Sequence, residues 1–199
     1  MYDRLKAIEY AKKYAFDYNE NYYDFKSLGG DCTNFISQCL FAGGINMDYN
    51  QNGWFYSSIN SRSASWTSVE YLWDYCVQNK NIKFKECNIK ELEIGDIIQF
   101  FAPALNRFYH TVIITKIIEP ISVKNILVSS HDNNAYNKSL IEYNINFNYL
   151  RFGKILNWKT IFKRQTNKQT NKQTNKQTIN QSINQSINQS INQSINRPN

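Results

Sequence analysis

The chain is poor in the residues that hold small proteins together by covalent or metal chemistry. Its 199 residues include four cysteines and two histidines. Four cysteines are too few for a disulfide scaffold at this length, and they fit a reducing compartment. No Cys-x-x-Cys or His-Glu-x-x-His pattern occurs, so a zinc site has little support. We therefore expect neither a metal nor a cofactor.

The sequence also lacks long apolar runs. No stretch approaches the roughly 18 consecutive apolar residues that indicate a membrane-spanning helix. The N-terminus has no continuous apolar segment of the kind found in secretion signals. These absences predict a cytoplasmic protein without a membrane span, and they leave open a cell-wall location reached by another route.

Acidic, aromatic and sulfur-containing residues are absent from Gln165 onward. This segment repeats in units of four residues, first Gln-Thr-Asn-Lys and later Gln-Ser-Ile-Asn. One isoleucine per four residues cannot offset the entropy cost of ordering a chain. We therefore expect a folded domain over residues 1–160 and a disordered tail over residues 161–199.

The positive charge of the chain is concentrated in that repeat segment. From Gln165 onward the chain holds four of its 23 basic residues and none of its 16 acidic ones, so residues 1–164 carry a net charge of +3 rather than +7. Such a small excess excludes a strong nucleic-acid footprint. We expect a monomer that does not bind nucleic acid.

Helical patterns come first in the chain and strand patterns follow. Apolar spacing predicts an amphipathic helix over about residues 2–19 and a second over Cys32–Ala42 that ends at Gly43-Gly44. A third, Thr67–Gln78, begins at a Thr-x-x-Glu capping box. Strands are predicted at 94–101, 108–118, 125–130, 139–143 and 151–158. This order predicts an α+β fold, with the helices packed on one side of an antiparallel sheet.

A glycine turn leads into the second helix, which begins on a cysteine. Gly29 and Gly30 allow a sharp reversal, and the carboxylate of Asp31 is expected to cap the helix. Cys32 then lies at the positive end of the helix dipole, a setting that lowers a thiol pKa and favours nucleophilic attack. The alternative is a small buried residue, because such a cysteine becomes catalytic only beside a base.

Each of the two histidines lies on a predicted strand or at the end of one, downstream of that helix. A cysteine nucleophile needs a general base, and the base needs a second polar group to orient it. If the strands that carry His110 and His131 are neighbours, both imidazoles can face Cys32. The sequence therefore predicts a thiol and two imidazoles at one site.

Aromatic residues cluster in a long loop over residues 46–65 and just after it. Trp54, Tyr56 and Trp66 are candidates for the wall of a substrate groove, because long loops with bulky aromatics often form binding surfaces. A place in the core is the alternative for the same residues. The other cysteines, Cys39, Cys76 and Cys87, are interpreted as packing residues.

Together these motifs resemble a bacterial family. The run Gly-Gly-Asp-Cys-Thr-Asn-Phe-Ile-Ser-Gln-Cys-Leu, the later Gly95-Asp96-Ile97-Ile98-Gln99 and the pair Ser130-His131 are similar to the "putative amidase domain" family of the papain-like NlpC and CHAP superfamily. The resemblance covers about residues 2–158. It implies a circularly permuted papain-like fold.

The resemblance also implies a chemistry. Such domains cleave amide bonds, commonly in peptidoglycan stem peptides, which makes a peptide or peptidoglycan fragment the expected partner. It implies Cys32 as nucleophile, His110 as base and His131 as the orienting residue, acting through a thioester acyl-enzyme. Three neighbouring side chains could orient the base instead: Asp132, Asn133 and Asn134. The alternatives are an acyltransferase or transglutaminase-like enzyme that uses the same thiol, and an inactive module that binds wall or peptide ligands.

Overall fold

The computed structural model describes residues 1–78 and 82–156. In this part of the chain the α-helices are α1 (Arg4–Tyr14), α2 (Cys32–Ala42), α3 (Ala64–Thr67) and α4 (Val69–Gln78). A small hairpin joins β1 (Tyr56–Ser58) to β2 (Ser61–Arg62). The larger sheet consists of β3 (Phe84–Glu86), β4 (Ile97–Ala102), β5 (Arg107–Ile117), β6 (Ile126–Ser130), β7 (Ala135–Ser139) and β8 (Leu150–Ile155). The predicted tail, residues 161–199, lies outside the described residues.

The larger sheet is antiparallel throughout, and its strand order is β3-β8-β4-β5-β6-β7. Strand β5 lies between β4 and β6, with Phe100 opposite His110 on one side and Ile113 opposite Ser129 on the other. The helices precede this sheet in the chain and pack on it. The predicted α+β class with an antiparallel sheet is confirmed.

One face of the sheet is covered by the helices. Because neighbouring residues of a strand point to opposite faces, Ile97 and Ile113 face the helices while Ile98 and Val112 face away. The helices contribute Ala7 and Ala11 from α1, Phe35, Ile36 and Leu40 from α2, and Leu72 from α4. Burial of each large side chain contributes about 1.5–3 kcal/mol, so this layer holds α2 firmly against the sheet.

The opposite face is covered by short turns rather than by helices. Ile98, Val112 and Val128 pack there against Leu92 and Leu140, which lie in connections between strands. Both faces of the central strands are therefore buried, which explains why burial is continuous over residues 97–100 of β4 and 110–115 of β5.

The helices are short, and α1 and α2 have 11 residues each. Among the described residues, no helix combines the length and the apolar character needed to cross a bilayer.

Two helix boundaries differ from their predictions. Helix α1 ends at Tyr14, well before residue 19. Helix α4 begins at Val69, because Ser68 has an extended backbone with φ −108° and ψ 134°. Thr67 is instead the last residue of α3, so the predicted capping box at the start of α4 is wrong.

One predicted strand is also displaced. Residues 139–143 were expected to be extended, but β7 ends at Ser139 and a 3-10 turn follows over Leu140–Tyr143. The side chains of Ser139 and Glu142 cap this turn reciprocally, which stops the strand. The short strands β1, β2 and β3 were not predicted, because two or three residues carry no periodic signal.

Candidate active site

Helix α2 places its first turn where β5 and β6 separate. The ladder between these strands ends at Ile113 opposite Ser129. Just past this point Thr33 reaches β5, and its hydroxyl oxygen lies 3.4 Å from that of Thr111. The start of α2, at Cys32, therefore lies beside the residues that follow the end of the ladder on both strands.

Three reactive groups from distant parts of the chain meet at this helix start. Sγ of Cys32, a ring nitrogen of His110 and a carboxylate oxygen of Asp132 lie within 4.8 Å of one another. Cys32 is 4% exposed and His110 is 6% exposed, while Asp132 is half-buried. The structure thus brings together the predicted thiol and one predicted imidazole, and the third member is a carboxylate that the sequence offered only as an alternative.

Asp132 caps α2 from the turn after β6. Its carboxylate accepts hydrogen bonds from the backbone amide of Asp31, at 2.7 and 2.8 Å, and from that of Cys32, at 3.0 Å. Its φ of 69° is left-handed, a conformation that aspartate adopts more readily than most residues. A negative charge at a helix N-terminus is stabilising, since it pairs with the positive end of the dipole.

Gly30 is required by this cap as well as by the turn. Its φ is 117°, a conformation that favours glycine. A Cβ at this position would lie 2.6 Å from a carboxylate oxygen of Asp132. Any larger residue would push the carboxylate away from α2.

Asp31 has a different role from the one predicted. Its carboxylate accepts hydrogen bonds from the Phe25 amide at 2.9 Å and from Nδ2 of Asn34 at 2.8 Å, and its other oxygen lies 2.5 Å from Nδ1 of His131. It makes no capping bond to the amides of α2. The prediction that the Asp31 side chain caps the helix is wrong, because a carboxylate from the sheet holds those amides.

Both ring nitrogens of His131 have partners other than His110. Nδ1 faces Asp31, Nε2 donates to the carbonyl oxygen of Tyr14 at 2.7 Å, and the ring stacks on Phe35 with centroids 4.1 Å apart. With both nitrogens engaged, this imidazole cannot orient His110 in the described conformation, so the prediction that it does is corrected. His131 instead ties α1 to the start of α2.

The other candidates for the orienting place lie on the same turn. Asn133 is exposed and Asn134 is half-buried. Asp132 alone of these residues holds the first amides of α2.

His110 carries the unpaired nitrogen of the site. Its ring packs near those of Phe100 and Tyr143, with centroids 5.3 and 6.2 Å away. Nε2 is buried and has no hydrogen-bond partner among the described residues. Burial lowers the pKa of His110 to about 4, although the negative charge of Asp132 opposes the shift. The imidazole is therefore neutral at neutral pH and can accept a proton.

The Cys32 thiol is less acidic than the sequence predicted. Burial raises its pKa to about 12, and the nearby charge of Asp132 adds to the shift. Hydrogen bonds from the Thr111 backbone and from Thr33 oppose it. The prediction of a lowered pKa is wrong because desolvation outweighs the helix dipole, whose positive end already has a carboxylate. The resting site is a neutral thiol beside a neutral imidazole.

The aromatic residues proposed for a substrate groove lie in the core instead. Trp54 and Trp66 have no exposed surface, and Tyr56 is 8% exposed. Nε1 of Trp54 donates to Ser37 at 3.0 Å, and Nε1 of Trp66 donates to Asn34 at 2.9 Å. Both indoles therefore support α2 from within the core. The groove prediction for these aromatic residues is corrected, and the core alternative applies.

The three-group cluster also has the chemistry of a metal site. Thiolate, imidazole and carboxylate are all zinc ligands, and three protein ligands leave a fourth position open. The sequence predicted no metal because these residues share no local motif. Asp132 already accepts hydrogen bonds from two amides, so an ion would compete with the helix cap for its oxygens.

The three groups lie in a part of the chain that matches a known protein family. A family model described as "Putative amidase domain" matches residues 1–152, which include all three groups. The chain belongs to this amidase domain family. The predicted family is thereby confirmed, and an amidase-like hydrolase is supported at the level of the family.

One curated relative of this amidase domain is the uncharacterized protein YhbB of Bacillus subtilis (strain 168). The two are 37% identical over 119 residues, which make up 57% of this chain and 37% of that protein. The chain thus covers well under half the length of this relative. No solved structure matches the chain, and the papain-like permutation stays a prediction from the resemblance.

The sequence offered Asp132 of the amidase domain only as an alternative for the orienting residue. Counting on from Ile113 opposite Ser129, the register of β5 and β6 would set it across from His110. This alignment of Asp132 with His110 can be derived only when the pairing of β5 and β6 is known. A one-residue error in register exchanges Asp132 for His131.

Proposed function

We propose that the protein is a cysteine-dependent hydrolase that cleaves amide bonds in peptides. Cys32 is the nucleophile, His110 is the general base, and Asp132 is the positioning residue. One observation carries the proposal: a thiol, an imidazole and a carboxylate lie within 4.8 Å of one another, and the imidazole has a buried nitrogen with no partner in the described part of the chain. Membership of the amidase domain family supports the same reaction class.

In this proposal the first step starts from the neutral pair. Nucleophilic attack requires the thiolate, and His110 supplies it by accepting the Cys32 proton as Sγ bonds to the carbonyl carbon. The low pKa of His110 and the high pKa of Cys32 disfavour a stable ion pair in the closed site. Proton transfer is therefore coupled to attack on a bound substrate.

The developing oxyanion needs a donor. The backbone amide of Cys32 lies at the helix start, where such a donor is expected. It now donates to Asp132 at 3.0 Å, while the amide of Asp31 donates to the same carboxylate. When a substrate carbonyl oxygen enters, the Asp132 carboxylate must release the Cys32 amide and keep its bond to the Asp31 amide.

The remaining steps complete the hydrolysis. Protonated His110 gives its proton to the amide nitrogen, the C–N bond breaks, and the amine leaves a thioester on Cys32. Water then attacks the thioester while His110 accepts a proton from it. The carboxylic acid departs as the proton returns to Sγ, so the enzyme is regenerated.

A digest of purified peptidoglycan tests the proposal and its substrate. We propose peptidoglycan stem peptides as substrate, because the resemblance points to them. New amino termini should appear with the wild-type protein and with Cys87→Ser, whose thiol is half-buried outside the cluster, but not with Cys32→Ser. New reducing ends, or equal cleavage by Cys32→Ser, would contradict it. A protein that binds the digest without cleaving it would be the inactive module.

Acyl transfer is a second candidate, favoured by the burial of the thiol. Cys32 is 4% exposed, so a thioester on it would be shielded from bulk water, and an amine bound beside it would compete with the few water molecules that reach it. Adding methylamine to the digest separates the two reactions by mass spectrometry. Methylamide products would indicate transfer, and free carboxylic acids alone would indicate hydrolysis.

A further inference from the structure

A second cavity lies apart from the three-group cluster. It is bounded by the loop before β1, the segment from β2 into α3 and the outer side of α4, and its volume is about 590 Å³. This is within the range of about 300–1,000 Å³ that is typical of small-molecule sites. Cys32, His110 and Asp132 do not line it.

Side-chain amides form one side of the cavity and an exposed ring stands on another. The loop before β1 contributes Asn50, Gln51 and Asn52, and α4 contributes Tyr71, which is 60% exposed. A carboxamide both donates and accepts hydrogen bonds, so several of them together match a ligand whose groups also do both. An open aromatic face adds a surface for an apolar ring edge.

The charges of the lining cancel, since it contains one arginine and one carboxylate, Arg62 and Asp74. The Arg62 guanidinium lies over the Phe25 ring, 4.6 Å from its centroid, and donates from Nη1 to the Ile59 carbonyl. Its Nε is buried and has no hydrogen-bond partner among the residues described. The contact with Phe25 and the bond to Ile59 hold the guanidinium in place in the cavity wall.

We propose that this cavity binds a neutral saccharide. Sugar hydroxyl and acetamido groups donate and accept together, as the amides of the loop do, and the C–H face of a sugar ring fits against Tyr71. The Arg62 guanidinium supplies donors and Asp74 an acceptor, without a net charge that would select an ion. The proposal uses none of the thiol chemistry and goes beyond the proposed amidase activity.

Calorimetric titration of the full chain with tri-N-acetylchitotriose tests the site. Saturable binding is expected for the wild type and equally for Cys32→Ser. Tyr71→Ala and Asp74→Ala should each raise the Kd about tenfold, the loss that follows removal of one hydrogen bond to a charged group or one well-packed contact. Two exposed positions of α4 outside the cavity provide the controls Val77→Ala and Glu70→Ala, which should leave the Kd unchanged.

Three results would overturn the proposal. The first is an absence of saturable binding, and the second is an equal weakening by the cavity variants and the control variants. The third is binding of the dipeptide Ala-Ala in place of the sugar, which would make Arg62 and Asp74 a site for a zwitterion. Because Cys32→Ser keeps the cavity, failure here and failure of the amidase proposal are separate outcomes.

Discussion

The chain contains two Gly-Asp pairs whose aspartates are both completely buried but have different roles. Gly30-Asp31 opens α2, and Gly95-Asp96 opens β4; both glycines have left-handed φ angles, 117° and 80°. Asp31 and Asp96 have no exposed surface. Both carboxylate oxygens of Asp96 accept hydrogen bonds, whereas the cluster beside Asp31 includes an imidazole nitrogen that has no partner among the described residues.

The Asp96 network gives each buried charge its partners. The carboxylate accepts a hydrogen bond from Nη1 of Arg4 at 2.7 Å and from the backbone amides of Glu93 and Ile155, at 2.8 and 3.0 Å. Lys154 approaches it to 3.7 Å and bonds to Glu93 at 2.8 Å. This network ties α1 to the segment before β4 and to β8, which is a structural task.

The cluster at Cys32 is buried to a similar degree but is not saturated. Nε2 of His110 has no partner in the described part of the chain, and burial favours the neutral form of both the imidazole and the thiol. A buried polar group that forms no hydrogen bond, such as this imidazole nitrogen, costs free energy of folding. Burial is therefore common to both sites, and they differ in their partners: the Asp96 carboxylate has donors on both oxygens, whereas the His110 imidazole has a nitrogen without a partner in the described residues.

The largest effect is expected at the thiol. Cys32→Ser should lower kcat/KM by about 10⁴-fold or more, because the nucleophile of the proposed reaction is lost. Cys87→Ser, the matched control, should keep wild-type activity. Peptide release from peptidoglycan gives the rates, and thermal melting shows whether both variants fold. Comparable activity in the two variants would place the chemistry elsewhere.

The next effect is on stability and concerns the ionic network around Asp96. Arg4→Met should lower the free energy of unfolding by about 3–5 kcal/mol, since it leaves the buried Asp96 charge without its partner. His110→Gln should change it by less than about 1 kcal/mol, because the unpaired Nε2 forms no hydrogen bond to lose. Urea unfolding at pH 7.5 measures both. Equal losses would erase the distinction between the two regions.

Acid should destabilise the protein partly through His110. Its pKa falls from 6.5 to about 4 on folding, so the unfolded chain binds more protons between these values and stability falls as the pH drops from about 6.5 to 4. This loss of stability is on the order of 3 kcal/mol below about pH 4, is absent above pH 7 and does not occur in His110→Gln. Urea unfolding across this pH range, in both proteins, isolates it. Identical pH slopes would show that the imidazole is not buried in its neutral form.

Asp132 and His131, adjacent in sequence, should differ in what they affect. Asp132→Asn should lower kcat by about 10²-fold, the lower end of what acid–base catalysis contributes, and should shift its pH profile, because the charge that faces His110 is removed. His131→Gln should cost about 1–3 kcal/mol of stability, since it breaks the bond to Asp31. A shifted pH profile in His131→Gln alone would restore His131 as the orienting residue.

The smallest expected effect is none at all. Dialysis against EDTA should leave the hydrolysis rate unchanged, and added Zn²⁺ should inhibit, because it would capture the thiol, the imidazole and the carboxylate. Metal analysis of the purified protein accompanies the assay. Loss of activity with EDTA and recovery with Zn²⁺ would turn the cluster into a metal centre.

The helix and strand boundaries that could be predicted depend on short sequence motifs. Helix α2 spans the predicted residues Cys32–Ala42, because a glycine turn precedes it and Gly43-Gly44 ends it. Strand β7 was misplaced because its neighbour is a capped 3-10 turn with a more apolar composition than the strand itself. Burial of Trp54 and Trp66 depends on which elements surround their loop, so periodicity could not choose between core and groove.

By itself the sequence determined the order of helices and strands, the start of α2 on Cys32 and the family to which the chain belongs. Tertiary structure alone decided that Asp132, rather than His131, lies at the thiol, because the contact joins residues 100 positions apart and depends on the left-handed turn after β6. It also decided the protonation of the site. Desolvation by surrounding segments moves both pKa values away from an ion pair, and no local pattern records how deeply a side chain is buried.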